Sequence, residues 1–201
     1  MKTLRWIKLL FLVAAFACLK QAEAQEAFQL KLAQEARKLT NDQVTYDPQY
    51  FKIAYPNGDV PANKGVCTDV IIRAYRKMGI DLQQLVHEDM KAHFGLYPKN
   101  WGLKSTDKNI DHRRVPNLMV FFERKGQKLS ISSKAEDYKP GDIVCWNLGG
   151  GITHIGIVSN QLSEDKKRYK IIHNVGAGQV LEDFIFNYKI IGHYRFSNQL
   201  K

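Results

Sequence analysis

The chain has 201 residues, with 30 Lys and Arg against 20 Asp and Glu, a formal net charge of +10 and 44% hydrophobic residues. That length suits one domain able to bury a core without disulfides, and the ordinary composition excludes collagen-like, coiled-coil and extensively disordered classes. The basic balance favours anionic surroundings such as cell-wall polymer or lipid head groups. Its basic residues are scattered rather than interleaved with aromatics on one element, which argues against a nucleic-acid partner.

The first residues have the layout of a secretory signal peptide. Lys2, Arg5 and Lys8 precede the apolar run Leu9-Leu-Phe-Leu-Val-Ala-Ala-Phe-Ala17, and Ala22-Glu-Ala24 offers small residues for cleavage. The expectation is a leader over residues 1–24 and a single exported, periplasmic or secreted, domain over residues 25–201. Cleavage would remove four basic residues and one acid, leaving a net charge of +7. The run is too short to span a bilayer, and no other stretch could. Cys18 offers a rival, a lipoprotein anchor, but the Ala-Phe-Ala before it places a bulky Phe where a small residue is wanted. Cys67 and Cys145 remain after processing. They could pair in an oxidising compartment, although Cys145 in Ile143-Val-Cys-Trp146 reads as a strand core residue.

Residues 26–39 carry Phe28, Leu32, Ala36 and Leu39 on one helical face. Residues 44–59 are extended and aromatic, with turns at Pro48, Pro56 and Gly58. The spacing of Val70, Ile71, Ala74 and Met78 predicts a helix that opens at Cys67 and stops at Gly79. Asp81 with Gln84 reads as the cap of a further helix running to about Gly95. A polar loop from Pro98 to His112 follows, long enough to imply a function or a lid. Pro116 suits the first turn of a helix ending at Gly126. Strands are predicted at 129–132, 142–147, 154–159, 169–175, 179–182 and 190–196. Helices first and strands afterwards predict an α+β domain with N-terminal helices packed on a C-terminal antiparallel sheet.

Cys67 in the first turn of a helix meets the positive end of the helix dipole, which favours a thiolate. A cysteine nucleophile also needs a base and a group to hold that base. His154 opens a strand after Gly149-Gly-Gly151 and is the candidate base. His173 stands on the predicted neighbouring strand as its orienting partner, with Asn174 as the rival, since strand alternation lets only one of them face the site. Asp69, two residues after the cysteine, would complement the dipole, pair with Arg73 or bind a substrate amine. Arg113 and Arg114 could grip a substrate carboxylate, and Tyr55 could serve as an oxyanion donor beside the Cys67 backbone amide. The separations of Cys67, His154 and His173 match no local zinc spacing. No phosphate loop or dinucleotide fingerprint is present, so neither a metal nor an organic cofactor is expected.

Cysteine at a helix start, Pro-Gly-Asp-Ile-Val at 140–144, Thr-His-Ile-Gly-Ile-Val at 153–158 and a later strand with Ile-His resemble the NlpC-type branch of the papain-like cysteine peptidases. More closely, the chain resembles the YijF-like family of exported bacterial proteins. The matching runs are Tyr-Pro-Asn-Gly-Asp-Val-Pro (55–61), Gly-Val-Cys-Thr-Asp-Val (65–70), Asp-Leu-Gln-Gln-Leu-Val-His-Glu-Asp-Met (81–90), Asn-Ile-Asp-His-Arg-Arg-Val-Pro-Asn-Leu (109–118), His-Asn-Val-Gly (173–176) and Ile-Gly-His-Tyr-Arg (191–195). The superfamily resemblance implies a papain-like fold and hydrolysis of amide bonds, often in peptidoglycan stem peptides. It carries Cys67 over as nucleophile, His154 as base and His173 as third residue. Many NlpC-type enzymes have Asp-Cys-Ser at the nucleophile where this chain has Val-Cys-Thr-Asp, so their recognition of a substrate amine does not transfer. The opposing expectation is a papain-like module that binds cell-wall or protein ligands without turnover.

Overall fold

The computed structural model describes residues 2–197, with side chains from Lys20 onward. The expected leader therefore lies, for its first 19 residues, outside the described side chains. From Lys20 to Ala24 every side chain is exposed. Among the described side chains of the first helix, α1 (Lys2–Lys38), Gln25 is half-buried, Phe28 packs against the main core and Gln29 is the first to be fully buried. Among the described residues no helix is long and apolar enough to cross a membrane.

After α1 the chain runs through β1 (Thr45–Tyr46) and β2 (Lys64–Gly65), which pair in parallel, into α2 (Cys67–Lys77), α3 (Leu82–Ala92) and α4 (Val115–Lys125). Six strands follow: β3 (Gln127–Lys128), β4 (Ile143–Asn147), β5 (Thr153–Leu162), β6 (Tyr169–His173), β7 (Val180–Glu182) and β8 (Lys189–Arg195). They form one sheet in the order β3-β8-β4-β5-β6-β7, antiparallel at every described pairing. The fold is thus mixed α+β, helices first and an antiparallel sheet after, as the order of patterns in the sequence predicts.

Alternation along β4 and β5 gives the sheet two buried faces. Ile143, Cys145, Ile155 and Ile157 point toward the helices and join Leu32, Ala36, Val70, Ile71, Ala74, Tyr75, Leu118, Phe121 and Phe122 in the main core. Val144, Trp146 and Val158 point the other way and pack with Tyr138, Ile171, Phe184 and Ile185 in a smaller one. β4 is buried on both faces, as its unbroken apolar run Ile143–Trp146 requires.

The helix boundaries follow local chemistry. At the start of α2, Val66 has extended backbone and no side-chain oxygen, so the cap is one-sided: the Asp69 carboxylate accepts from the Val66 N–H at 2.7 Å. The helix stops where Gly79 takes φ +75°. Asp81 caps α3 through the Gln83 N–H at 3.0 Å. Gln83 then turns inward, accepting from the Gly58 N–H and donating to the Ala54 carbonyl, and ties the extended segment before α2 to this helix. The predicted strand at 129–132 is shorter and earlier, at Gln127–Lys128. Beyond Leu129, whose N–H still reaches the His193 carbonyl, the Ser130 carbonyl is taken by His193 Nδ1 and the Ser132 backbone by the Tyr138 hydroxyl.

Candidate functional site

Cys67 opens α2 at the point where the helix meets the edge of β5. The residue is 7% exposed. Burial pushes its thiol up to about 12; hydrogen bonds from the Ile155, Thr68 and Cys67 backbone N–H groups pull the other way, and the nearby Asp69 charge adds to the rise. The thiolate expected at a helix start is therefore not the resting form. Three amides and a helix dipole stabilise the anion, but they do not outweigh the loss of water around the sulfur.

The two strand histidines meet each other. His154 pairs across from Trp146 in the β4–β5 ladder, so its ring lies on the face of the smaller core. On the same face, His173 ends β6, two residues beyond Ile171. His154 Nε2 and His173 Nδ1 are 2.9 Å apart, with the rings edge to face. Phe184 covers both, 5.5 and 4.2 Å between centroids. Gly156 makes the approach possible: a Cβ there would sit 2.7 Å from Ile171 Cγ2 and 3.2 Å from His173 Cβ. Burial pushes His154 down to about 3, with the neighbouring His173 adding to the fall. His154 is thus a neutral imidazole at neutral pH. His173 is also lowered by burial, while Glu182 pulls it back up. Asn174, the rival orienter, points elsewhere, its Nδ2 donating to the Gly65 carbonyl and its Oδ1 accepting from the Gly176 N–H.

Cys67 and His154 are linked through Ile155, the residue after the histidine, whose backbone N–H lies on the sulfur, while the His154 ring itself lies on the smaller-core face and Cys67 packs with the main core. No hydrogen bond joins the thiol to the ring among the described contacts, and His154 Nδ1 is left without one. Cys145, directly across the β4–β5 ladder from Ile155, is fully buried, and both it and Cys67 are free thiols. Burial raises the Cys145 thiol first and the neighbouring Cys67 charge second.

The other residues singled out from the sequence fare differently. Asp69 is next to the cysteine but is locked. Arg113 Nε and Nη2 hold its two oxygens at 2.9 and 3.0 Å, both side chains being 3% exposed. Arg73, the partner expected from helical spacing, instead grips Asp59 and the Lys64 carbonyl. Asp69 is therefore a helix cap and ion-pair partner, and has no free oxygen for a substrate amine. Arg113 is equally committed, since its Nη1 donates to the Gln49 carbonyl and its guanidinium lies over Phe51. Arg114 points away from this pair, stacks 4.4 Å from the centre of the exposed Trp101 ring and keeps a buried Nη1 without a partner. Tyr55 is not at the site. It packs on His87, with its hydroxyl 3.5 Å from Glu88 on α3.

The tyrosine beside Cys67 is Tyr46. Its phenol is raised by partial burial and then by the charges of Cys67 and Asp69, while Arg113 lowers it. Pairing of β1 with β2, Tyr46 opposite Gly65 and two residues from the cysteine, puts it there. The aromatic segment 44–59 is legible as the approach to Cys67; which tyrosine reaches it depends on a two-residue parallel ladder that leaves no periodic mark. Nothing in the sequence singles out Glu182 either. Its Oε2 is 3.2 Å from His173 Nε2, at ion-pair distance though off the hydrogen-bond axis. Among the described residues no group of three or more His, Cys, Asp or Glu is placed to hold a metal ion.

Comparison with known proteins places these residues in a family context. Residues 33–196 match the family model described as domain of unknown function DUF1287. The chain is 48% identical over 167 residues to a protein of Escherichia coli (strain K12) described as "Uncharacterized protein YijF", covering 83% of this chain and 81% of that one. No solved structure matches.

Proposed function

We propose, for a chain that belongs to the DUF1287 family and is a relative of YijF, an exported cysteine hydrolase of the papain-like, NlpC type that cleaves amide bonds. Peptidoglycan stem peptides are the first substrate class and other peptides or amides the second. The observation that carries this reading is the 2.9 Å bond between His154 Nε2 and His173 Nδ1, set on the strand whose next residue donates its N–H to the Cys67 sulfur. That bond occupies one nitrogen of His154 and leaves Nδ1 as the base.

The chemistry starts from a neutral pair. The thiol gives its proton to His154 Nδ1 as the sulfur attacks the amide carbonyl, so the ion pair forms with the bond rather than before it. The imidazolium then protonates the leaving amine, and a water deprotonated by His154 releases the acid from the thioester. The Cys67 backbone N–H, in the first turn of α2, and the Tyr46 phenol are the donors proposed for the oxyanion, with Tyr46 replacing Tyr55 in that role. The exported location rests on the leader pattern of residues 1–24, and the cell-wall substrate on that location and the superfamily resemblance.

A non-catalytic module is the second reading, favoured by one observation: the thiol is buried, protonated at rest and unbonded to His154. Mass spectrometry of muropeptides incubated with wild type and with Cys67→Ala separates the two. New cleaved species with wild type alone are expected; identical digests would remove the peptidoglycan claim.

A further inference from the structure

Beyond the Cys67–His154–His173 set, the geometry points to Glu182 as a positioning residue: its carboxylate biases the proton of His173 to Nε2 and thereby leaves His154 Nδ1 unprotonated, the state the hydrolase reading requires of its base. This deepens the hydrolase reading and rests on it for its functional meaning, though not for its test.

Counting protons decides the tautomers. A neutral imidazole has one N–H and one lone pair, and the bond between His154 Nε2 and His173 Nδ1 needs a single hydrogen between them. If His173 donated it, His154 would carry its own proton on Nδ1, and the nitrogen proposed as the base would be blocked. If His154 donates it, His173 must place its proton on Nε2. Glu182 Oε2 lies 3.2 Å from His173 Nε2, off the hydrogen-bond axis, and an ionised carboxylate that close disfavours a bare lone pair on this nitrogen and favours a proton there, which is the second arrangement. When the thiol proton moves to His154 Nδ1, the ring becomes an imidazolium that donates to His173, and the negative charge of Glu182 lies on the far side of His173, 3.2 Å from its Nε2.

The elements around the carboxylate leave it available. β6 and β7 pair with His173 opposite Val180, which puts Glu182 diagonally across from the histidine. The side chain of Glu182 is 47% exposed, on the rim of a cavity of about 450 Å³ also lined by Glu164, Asp165, Arg168, Lys170 and Asp183. Arg168, the strongest competitor for it, is held by Asp183 and Asp165. Lys170 is the remaining cation in the cavity, and no ion pair joins it to Glu182 among the described residues. On the other side the histidine pair meets the apolar wall of Phe184 and Trp146, which supplies no competing acceptor.

The test is ¹⁵N NMR of the imidazole nitrogens in the whole protein at pH 7, which reads each tautomer directly and needs no substrate. Wild type is expected to show His154 and His173 both protonated on Nε2. Glu182→Leu is expected to scramble His173, with a third or more of the population on Nδ1, while Glu182→Gln, which keeps an acceptor oxygen, holds the wild-type pattern. A wild-type His173 protonated on Nδ1, or a Glu182→Leu spectrum unchanged from wild type in a protein of unaltered thermal stability, would overturn the inference. A Glu182→Leu protein too unstable to record would leave the wild-type tautomers and the Glu182→Gln pattern to decide it. If the tautomers behave as expected and no amide is cleaved, the relay stands and only the hydrolase reading fails.

Discussion

Cys67 is an amide-flanked sulfur at a helix start that nonetheless keeps its proton, because burial costs the anion more than the local N–H groups return. Its alkylation by iodoacetamide should therefore be slow at pH 7 and climb toward pH 12, without the low-pH plateau of a preformed thiolate; such a plateau, followed by mass spectrometry, would contradict the neutral resting state. Asp69 shows how a residue can sit beside a candidate nucleophile for structural reasons. Its carboxylate satisfies the Val66 N–H and both arms of Arg113. Removing one partner of a buried pair strands the other, so Asp69→Ala should lose about 3–5 kcal/mol in urea unfolding. A loss under about 1 kcal/mol, the range of an exposed pair, would reopen Asp69 for substrate recognition. The position of Asp69 beside Cys67 is legible from the sequence but its ion-pair partner is not: Arg73 lies on the same helix face, whereas Arg113 comes from 44 residues away, and no local spacing encodes that contact.

At the scale of elements, the histidine pair depends on one missing Cβ. β5 carries Gly156 opposite the place where β6 delivers Ile171 and His173. Gly156→Ala should destabilise by about 1–3 kcal/mol, the usual cost of overpacking a buried site, and should part the two imidazoles. Unchanged denaturant stability would show that the sheet absorbs the methyl group. A second junction is the Asp89 hub, which staples α3 to α4. Burial pushes this carboxyl up, but Arg124, Tyr97 and Lys125 outweigh that and hold it well below the usual range. Its stabilisation is present above the unfolded carboxylate pKa and is lost as pH falls through the native one, so Asp89→Asn should be less stable than wild type at pH 7, with the gap closing in strong acid. The α2, α3 and α4 spans, the β4 core run and the order of helices before strands are legible from apolar period and from Gly and Pro punctuation. The shortened β3 is not, because side chains of Tyr138 and His193 take the backbone groups that a longer strand would have used.

For the whole molecule, burial of neutral histidines sets the response to acid. His154 and His112 both fall from 6.5 to about 3, in each case through burial first. Between those values the unfolded chain binds protons that the native chain refuses, so stability is full above about pH 6.5 and is lost progressively toward about pH 3. Urea midpoints should fall across that window, and His112→Phe should flatten the fall; equal slopes in the two proteins would assign the acid response elsewhere. The α+β plan and the Cys–His–His order can be read from one sequence because both are carried by local patterns. The state of the site cannot, since burial, tautomer and the tyrosine that reaches the sulfur are set by contacts across the fold.

The role of Cys67 as a nucleophile toward an amide is tested most directly by acid-quenched peptide mapping after incubation with muropeptides. A thioester mass increment is expected on the peptide that contains Cys67 in wild type, and none in His154→Ala. An unmodified Cys67 beside intact muropeptides, in protein with its thiol reduced, would contradict that role for this substrate class.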